Sequence, residues 1–305
     1  MINKITEINQ MIKTNANEFV LKVEDEYHKR IRNIAKIITK KKGINFVLLA
    51  GPSASGKTTS SKLLQKYLND MGVKTDTISL DDFYKTHEEM PRDEFGQLDF
   101  ERVDSLKLER IEKCFKELLA IGKASVPIFD FNLKRPLDED REVELQENDV
   151  IIIEGLHALN PEITKHLPKD KIFKLYISVG IGYLDDNNEV IIESRPIRLM
   201  RRMSRDIVYR DSPLERSLHL WTSVIRGEDK YLCPFRPLAD MELESFHEYE
   251  ICIFKGILED KLKALSSEVE NYDSVLRILE AMKYATYLDK RFVPNSSLLN
   301  EFMHK

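Results

Sequence analysis

Short apolar runs alternate with helical stretches along these 305 residues, and that alternation predicts an α/β fold with a parallel sheet flanked by helices. Two further observations narrow it. A glycine-rich turn, Gly51-Pro52-Ser53-Ala54-Ser55-Gly56-Lys57-Thr58, follows one apolar run and opens a helix. A second run, Val150-Ile151-Ile152-Ile153, ends on Glu154, as a buried strand carrying an acid at its carboxyl end does. The turn matches GxxxxGK[ST], so the fold predicted is that of a P-loop NTPase, with an arginine-rich lid and a helical C-terminal part.

The elements follow in order. Residues 18–42 read as a charged helix, with Val20, Val23, Tyr27, Ile31, Ile34 and Ile38 at helical spacing and Lys40-Lys41-Lys42 before Gly43 at its end. The basic end suits the negative pole of the helix dipole. Residues 1–43 are expected to form an N-terminal helical extension. Ile44 to Ala50 is a strand, and the helix after the loop carries Leu63, Leu64, Tyr67 and Leu68 on one face and ends near Gly72. Strands are expected at 74–80, 125–129, 149–153 and 172–179, with an edge or hairpin segment at 142–146. Helices are expected at 104–122, 197–210 and 213–226, and over most of the chain after 247. The P-loop core is placed at 44–256, including a lid at about 195–230, and C-terminal helices packed on it at 257–305.

Composition limits the partners. The net charge is -5, so no global basic field attracts nucleic acid or an anionic membrane, and neither is expected to bind. Three widely spaced cysteines form no CxxC pair, which points to a reducing, cytoplasmic setting without disulfides or structural zinc. No apolar run reaches membrane-spanning length.

The chemistry resides in three places. In the loop, Gly51 and Gly56 let the backbone fold so that N–H groups of Ser53, Ala54, Ser55 and the following residues through Thr59 converge on phosphate. Lys57 reaches the β and γ phosphates of a nucleoside triphosphate, and the Thr58 hydroxyl ligates Mg²⁺. Next, the strand ending at Leu80 runs into Asp81-Asp82-Phe83-Tyr84, at the sheet edge where ligands sit in open α/β folds. Alternation sends the two aspartates to opposite sides, so one faces the γ-phosphate as base and metal-side acid, while the other does not. A loop acid or helix cap is the plain alternative. Glu154 is the second metal-side acid.

Third, Arg198, Arg201, Arg202 and Arg205 stand at i, i+3, i+4 and i+7, and Arg210 continues the charge. Four neighbouring guanidinium groups repel one another, and a polyanion relieves that repulsion. The reading is a lid that closes over the triphosphate. Pairing with Glu193, Asp206 and Asp211, or contact with RNA, are the alternatives. No Asn-Lys-x-Asp segment for guanine reading is present.

Together, the loop, Leu80 to Tyr84, the Glu154-Gly155 strand end and the Arg198–Asp206 helix resemble the uridine kinase and phosphoribulokinase group of P-loop kinases. More closely, Pro91-Arg92-Asp93-Glu94, Glu154 to Pro161, Arg226 to Tyr231 and Asn295 to Phe302 resemble the kinase half of bacterial proteins that also carry a TGS and threonyl-tRNA-synthetase-like region. The likeness covers roughly residues 20–302. It implies a kinase that passes the γ-phosphate of ATP to a nucleoside 5′-hydroxyl, with Mg²⁺. It assigns the base to Asp81, the metal-side acid to Glu154, the lid arginines to Arg201, Arg202 and Arg205, and a place near the acceptor to Arg198.

The acceptor positions depart from the family pattern. Glu101 stands where an aspartate would hold the ribose. Phe129 replaces a tyrosine in Phe129-Asp130-Phe131, and Lys134 replaces a histidine. A phenyl ring stacks but cannot donate a hydrogen bond, and lysine cannot accept one. The expected partner is therefore a small-molecule acceptor, a nucleoside foremost, with an anionic sugar-type acceptor or a non-catalytic, RNA-associated nucleotide sensor as alternatives. Self-association into a homo-oligomer is left open. His157 is expected either to touch substrate or to make a structural hydrogen bond, and Trp221 to lie in the core.

Overall fold

The computed structural model describes residues 2–130, 133 and 135–303. Its central sheet has five strands: β1 (Phe46–Ala50), β2 (Thr75–Ser79), β5 (Val150–Glu154), β6 (Ile172–Ser178) and β7 (Met241–Glu244). Their spatial order is β7-β6-β1-β5-β2, and every adjacent pair is parallel. Two further strands, β3 (Lys123–Val126) and β4 (Arg141–Glu144), form a separate antiparallel pair. β1 and β5 are buried on both faces, which is why they read as unbroken apolar runs. β7 escapes a reading from sequence. Met241-Glu242-Leu243-Glu244 is half polar because an edge strand shows one face to water.

The helices that matter here are α1 (Ile5–Lys40), α2 (Lys57–Asp70), α3 (Leu108–Ile121), α4 (Ser194–Arg210), α5 (Leu214–Gly227), α6 (Glu250–Lys263) and α7 (Tyr272–Tyr284). α1 begins at Ile5, well before the position 18 that its periodicity predicts, with a non-helical Asn15 breaking it. Ile5, Ile8 and Ile12 are buried, so the first segment belongs to the core.

The positions 43/44 and 256/257 both lie within stretches that contribute to one buried cluster. One apolar core runs from Ile5 to Met303 and includes α1, one face of β1, α4, α6 and α7. The second boundary falls inside α6. A smaller core on the other sheet face takes Phe46, Leu48, Ile151 and Ile153 with α3. Among the described residues, no helix is long and apolar enough to cross a membrane.

Register places the acids. Glu154 lies beside Leu49 of β1 and Ser79 of β2, at the carboxyl end of the sheet. The phosphate loop leaves β1 at that end, and Asp81 follows β2 there on the short turn Leu80–Phe83.

Candidate active site

The phosphate loop is close-packed. A methyl group on Gly51 would meet Ile177 and the Ser55 hydroxyl at 2.5 and 2.8 Å. Gly56 has a φ of +88°, a left-handed conformation that a side chain disfavours. From it α2 starts, directing the open N–H groups of its first turn into the loop. The Lys57 ammonium donates to the Gly51 and Pro52 carbonyls at 2.9 and 3.2 Å, spanning the mouth of the loop. The Ser55 hydroxyl is buried and has no hydrogen-bond partner among the described residues. A close glycine cradle, a helix N-terminus and an unmatched donor fit a polyphosphate.

Two acidic groups gather opposite, Glu154 and Asp81. The Glu154 carboxylate accepts from the Ser79 hydroxyl at 2.9 Å and the Thr58 hydroxyl at 3.4 Å. Burial, reinforced by the charge on Asp81, lifts its pKa to about 7. Asp81 is also raised by burial, against the opposing pull of Lys57, Arg210 and Arg205. Asp82 turns aside and accepts the Phe129 N–H at 3.1 Å. The aspartates thus part as alternation suggested, though on a 3₁₀ turn rather than on a strand.

No group of three or more Asp, Glu, His or Cys residues able to hold a metal by itself occurs among the described residues. Mg²⁺ bound with a nucleotide keeps waters and substrate phosphates among its ligands. Thr58, Glu154 and Asp81 are the residues that would hold it, and it would neutralise charge on the phosphates there.

The arginine row divides, which corrects the expected single phosphate-facing side. Arg202 and Arg205 line the cleft, and Arg202 donates to the Ser53 hydroxyl at 3.0 Å. Arg201 does not line it. Its guanidinium is fully buried, bound to both Glu250 oxygens at 2.6 and 2.9 Å and to the Ser245 carbonyl at 2.7 Å. Arg198, expected near the acceptor, is buried too. It pairs with Glu228 at 2.5 Å, lies 5.7 Å from the Trp221 ring and donates to the Ser53 carbonyl at 3.1 Å.

The reason is the partner. A buried guanidinium requires a carboxylate, and both glutamates arrive from later segments. Arg198 and Arg201 brace the phosphate loop from behind. Helix α4 is built in as a wall of the cleft, with Ile197, Leu199, Met200 and Met203 wholly inside the larger core.

The cleft has a volume of about 520 Å³, within the usual range for small-molecule sites. Glu101 and Phe129 line it, together with Tyr84 and Phe100. The Tyr84 ring lies 6.1 Å from Phe129 and 6.4 Å from Phe100, edge to face. Burial raises the Glu101 pKa to about 7, against the pull of Arg202 and Lys57. Gly227 admits α5 here, since an added methyl would overlap the Glu101 side chain. Lys134 and Phe131 lie outside the described residues. His157 is buried away from the cleft, and burial lowers its pKa to about 4, so it is neutral.

Several lining residues escaped the sequence reading. Arg216, Leu220 and Ser223 face the cleft from α5 at i, i+4 and i+7, a spacing that marks one helix side. Glu301, near the end of the chain, also lines it, and no local signal points to it.

Residues 46–252 match the Phosphoribulokinase / Uridine kinase family. The chain belongs to that family. It is therefore a phosphotransferase of the class acting on a hydroxyl group. It is 26% identical over 206 residues to Uridine kinase-like protein 5 of Arabidopsis thaliana, covering 67% of this chain and 40% of that protein. It is 24% identical over 222 residues to a uridine kinase of Halobacterium salinarum, covering 72% and 88%. A solved structure titled a possible uridine kinase, from Bacillus stearothermophilus, superposes with a TM-score of 0.50 at 21% identity, over 72% of this chain and all of that one. At that identity the superposition speaks for the fold alone.

Proposed function

We propose that the protein transfers the γ-phosphate of ATP to a hydroxyl of a small molecule, foremost the 5′-hydroxyl of a nucleoside. The observation that carries the reading is Asp81. It lies in the same cleft as Lys57 and the phosphate loop, with the Tyr84, Phe100 and Phe129 rings and Glu101 lining the same space. In this reading Asp81 takes the proton of the attacking hydroxyl. Lys57 and the loop amides hold the phosphates, and Arg202 and Arg205 neutralise charge as it builds on the transferring group. The aromatic rings offer faces on which a base stacks, and Glu101 offers an acceptor for ribose hydroxyls.

An anionic sugar-type acceptor is the second reading, and Arg216 in the cleft favours it. Incubating the protein with ATP, Mg²⁺ and a panel of nucleosides and sugar phosphates, with products read by mass, separates the two. A gain of one phosphoryl group on a nucleoside is expected. Transfer to none of the panel would overturn the proposal.

A further inference from the structure

The C-terminal segment crosses the phosphate loop as a strap. Leu298–Glu301 forms a single 3₁₀ turn. Leu298 packs on Gly56, so closely that a methyl group there would overlap it. Leu298, Leu299, Phe302 and Met303 are buried in the larger core. The Ser297 hydroxyl donates to the buried Glu24 carboxylate at 2.6 Å, tying the strap to α1. From the arginine helix, the Tyr209 hydroxyl donates to the Asn300 and Met303 carbonyls at 2.8 and 3.1 Å.

These anchors aim one carboxylate at the loop. Glu301 Oε2 accepts from the Thr59 N–H at 3.2 Å and from the Thr59 hydroxyl at 2.6 Å. Thr59 is the third residue of α2, and its N–H belongs to the first-turn donors that a phosphate loop offers to the nucleotide phosphates. The N–H has one proton to give and so has the hydroxyl, and a negative charge is favoured at this helix end whether carboxylate or phosphate brings it.

We infer that Glu301 competes with the nucleotide phosphates for Thr59, so that the C-terminal strap is a built-in brake on nucleotide binding. The inference rests on the reading of the loop as a nucleotide site. Nucleotide entry then requires the carboxylate to leave Thr59, and the grip of Tyr209 on the strap sets how readily it does so.

Titration calorimetry of ATP with Mg²⁺ on the full chain tests this. Glu301→Gln, which keeps the shape and removes the charge, is expected to bind ATP about tenfold more tightly than wild type. Tyr209→Phe, which loosens the strap and leaves every charge in place, is expected to bind it a few-fold more tightly. Unchanged or weaker binding by Glu301→Gln overturns the brake. Tighter binding by Glu301→Gln with no change in Tyr209→Phe also overturns it, since simple charge repulsion then suffices. Should Glu301→Gln fail to fold, Tyr209→Phe decides alone. If wild type and both variants bind no triphosphate, the reading of the loop fails, and the brake with it.

Discussion

Asp81 and Asp82 are neighbours whose carboxylates meet different partners. Asp82 holds the Phe129 N–H, a contact that fixes the aromatic end of the cleft. Asp81 lines the cleft near Lys57, with its pKa raised by burial. Asp81→Asn is therefore expected to lower kcat by about 10²–10⁴ while ATP affinity is kept, the range typical of losing a general base. Asp82→Asn is expected to act chiefly through the acceptor KM. Steady-state kinetics with a calorimetric ATP titration checks both, and equal kcat for Asp81→Asn and wild type would remove Asp81 from the base role. Both aspartates were visible in the sequence, because a strand end followed by acids is a local pattern. The partner of Asp82 was not, since Phe129 lies 47 residues further along.

At the scale of the element, helix α4 shows how spacing can mislead. Arg198, Arg201, Arg202 and Arg205 do share a helix side, as i, i+3, i+4 and i+7 require. The surroundings then split that side in two. Glu228 and Glu250 draw Arg198 and Arg201 inward, and the cleft takes Arg202 and Arg205. A measurable contrast follows. Arg201→Ala leaves Glu250 buried and unpaired and is expected to cost about 3–5 kcal/mol of stability. Arg205→Ala, beside the cleft, is expected to cost less stability, since the Asp206 it pairs with keeps Arg202, Arg210 and Ser217, and to lower kcat. Urea denaturation alongside kinetics reads the two, and a stable, inactive Arg201→Ala protein would return Arg201 to the phosphates. Helix α1 is a second case. Its Tyr27 hydroxyl bonds Ser60 of α2 at 2.6 Å in the core, so a segment that read as an extension supports the phosphate-loop helix directly.

For the whole molecule, the gathering of buried acids has a pH signature. Glu154, with its pKa at about 7 against an ordinary 4.5, keeps a proton in the folded chain that the unfolded chain releases. Stability from this group is thus complete below about pH 4.5 and is lost as pH rises through 7. The loss amounts to about 3 kcal/mol at most, from roughly 1.4 kcal/mol for each pH unit of difference. Glu154→Gln cannot ionise and escapes it. The variant is expected to gain stability relative to wild type between pH 5 and pH 8 in urea titrations without nucleotide. A difference that is the same at both pH values would mean that Glu154 is ionised throughout.

The sequence by itself determined the parallel α/β sheet, the phosphate loop at Gly51–Thr58 and the acids at its strand ends. These rest on short-range rules: which residues pack as strands, where a glycine must turn, and which end of a parallel sheet meets the ligand. Only the tertiary structure decided which arginines face the cleft, how Gly227 lets α5 reach Glu101, and that Glu301 sits on Thr59 across 242 residues of chain. Each of those depends on a partner brought from far along the sequence by the packing of one continuous core. Local pattern has no way to name such a partner.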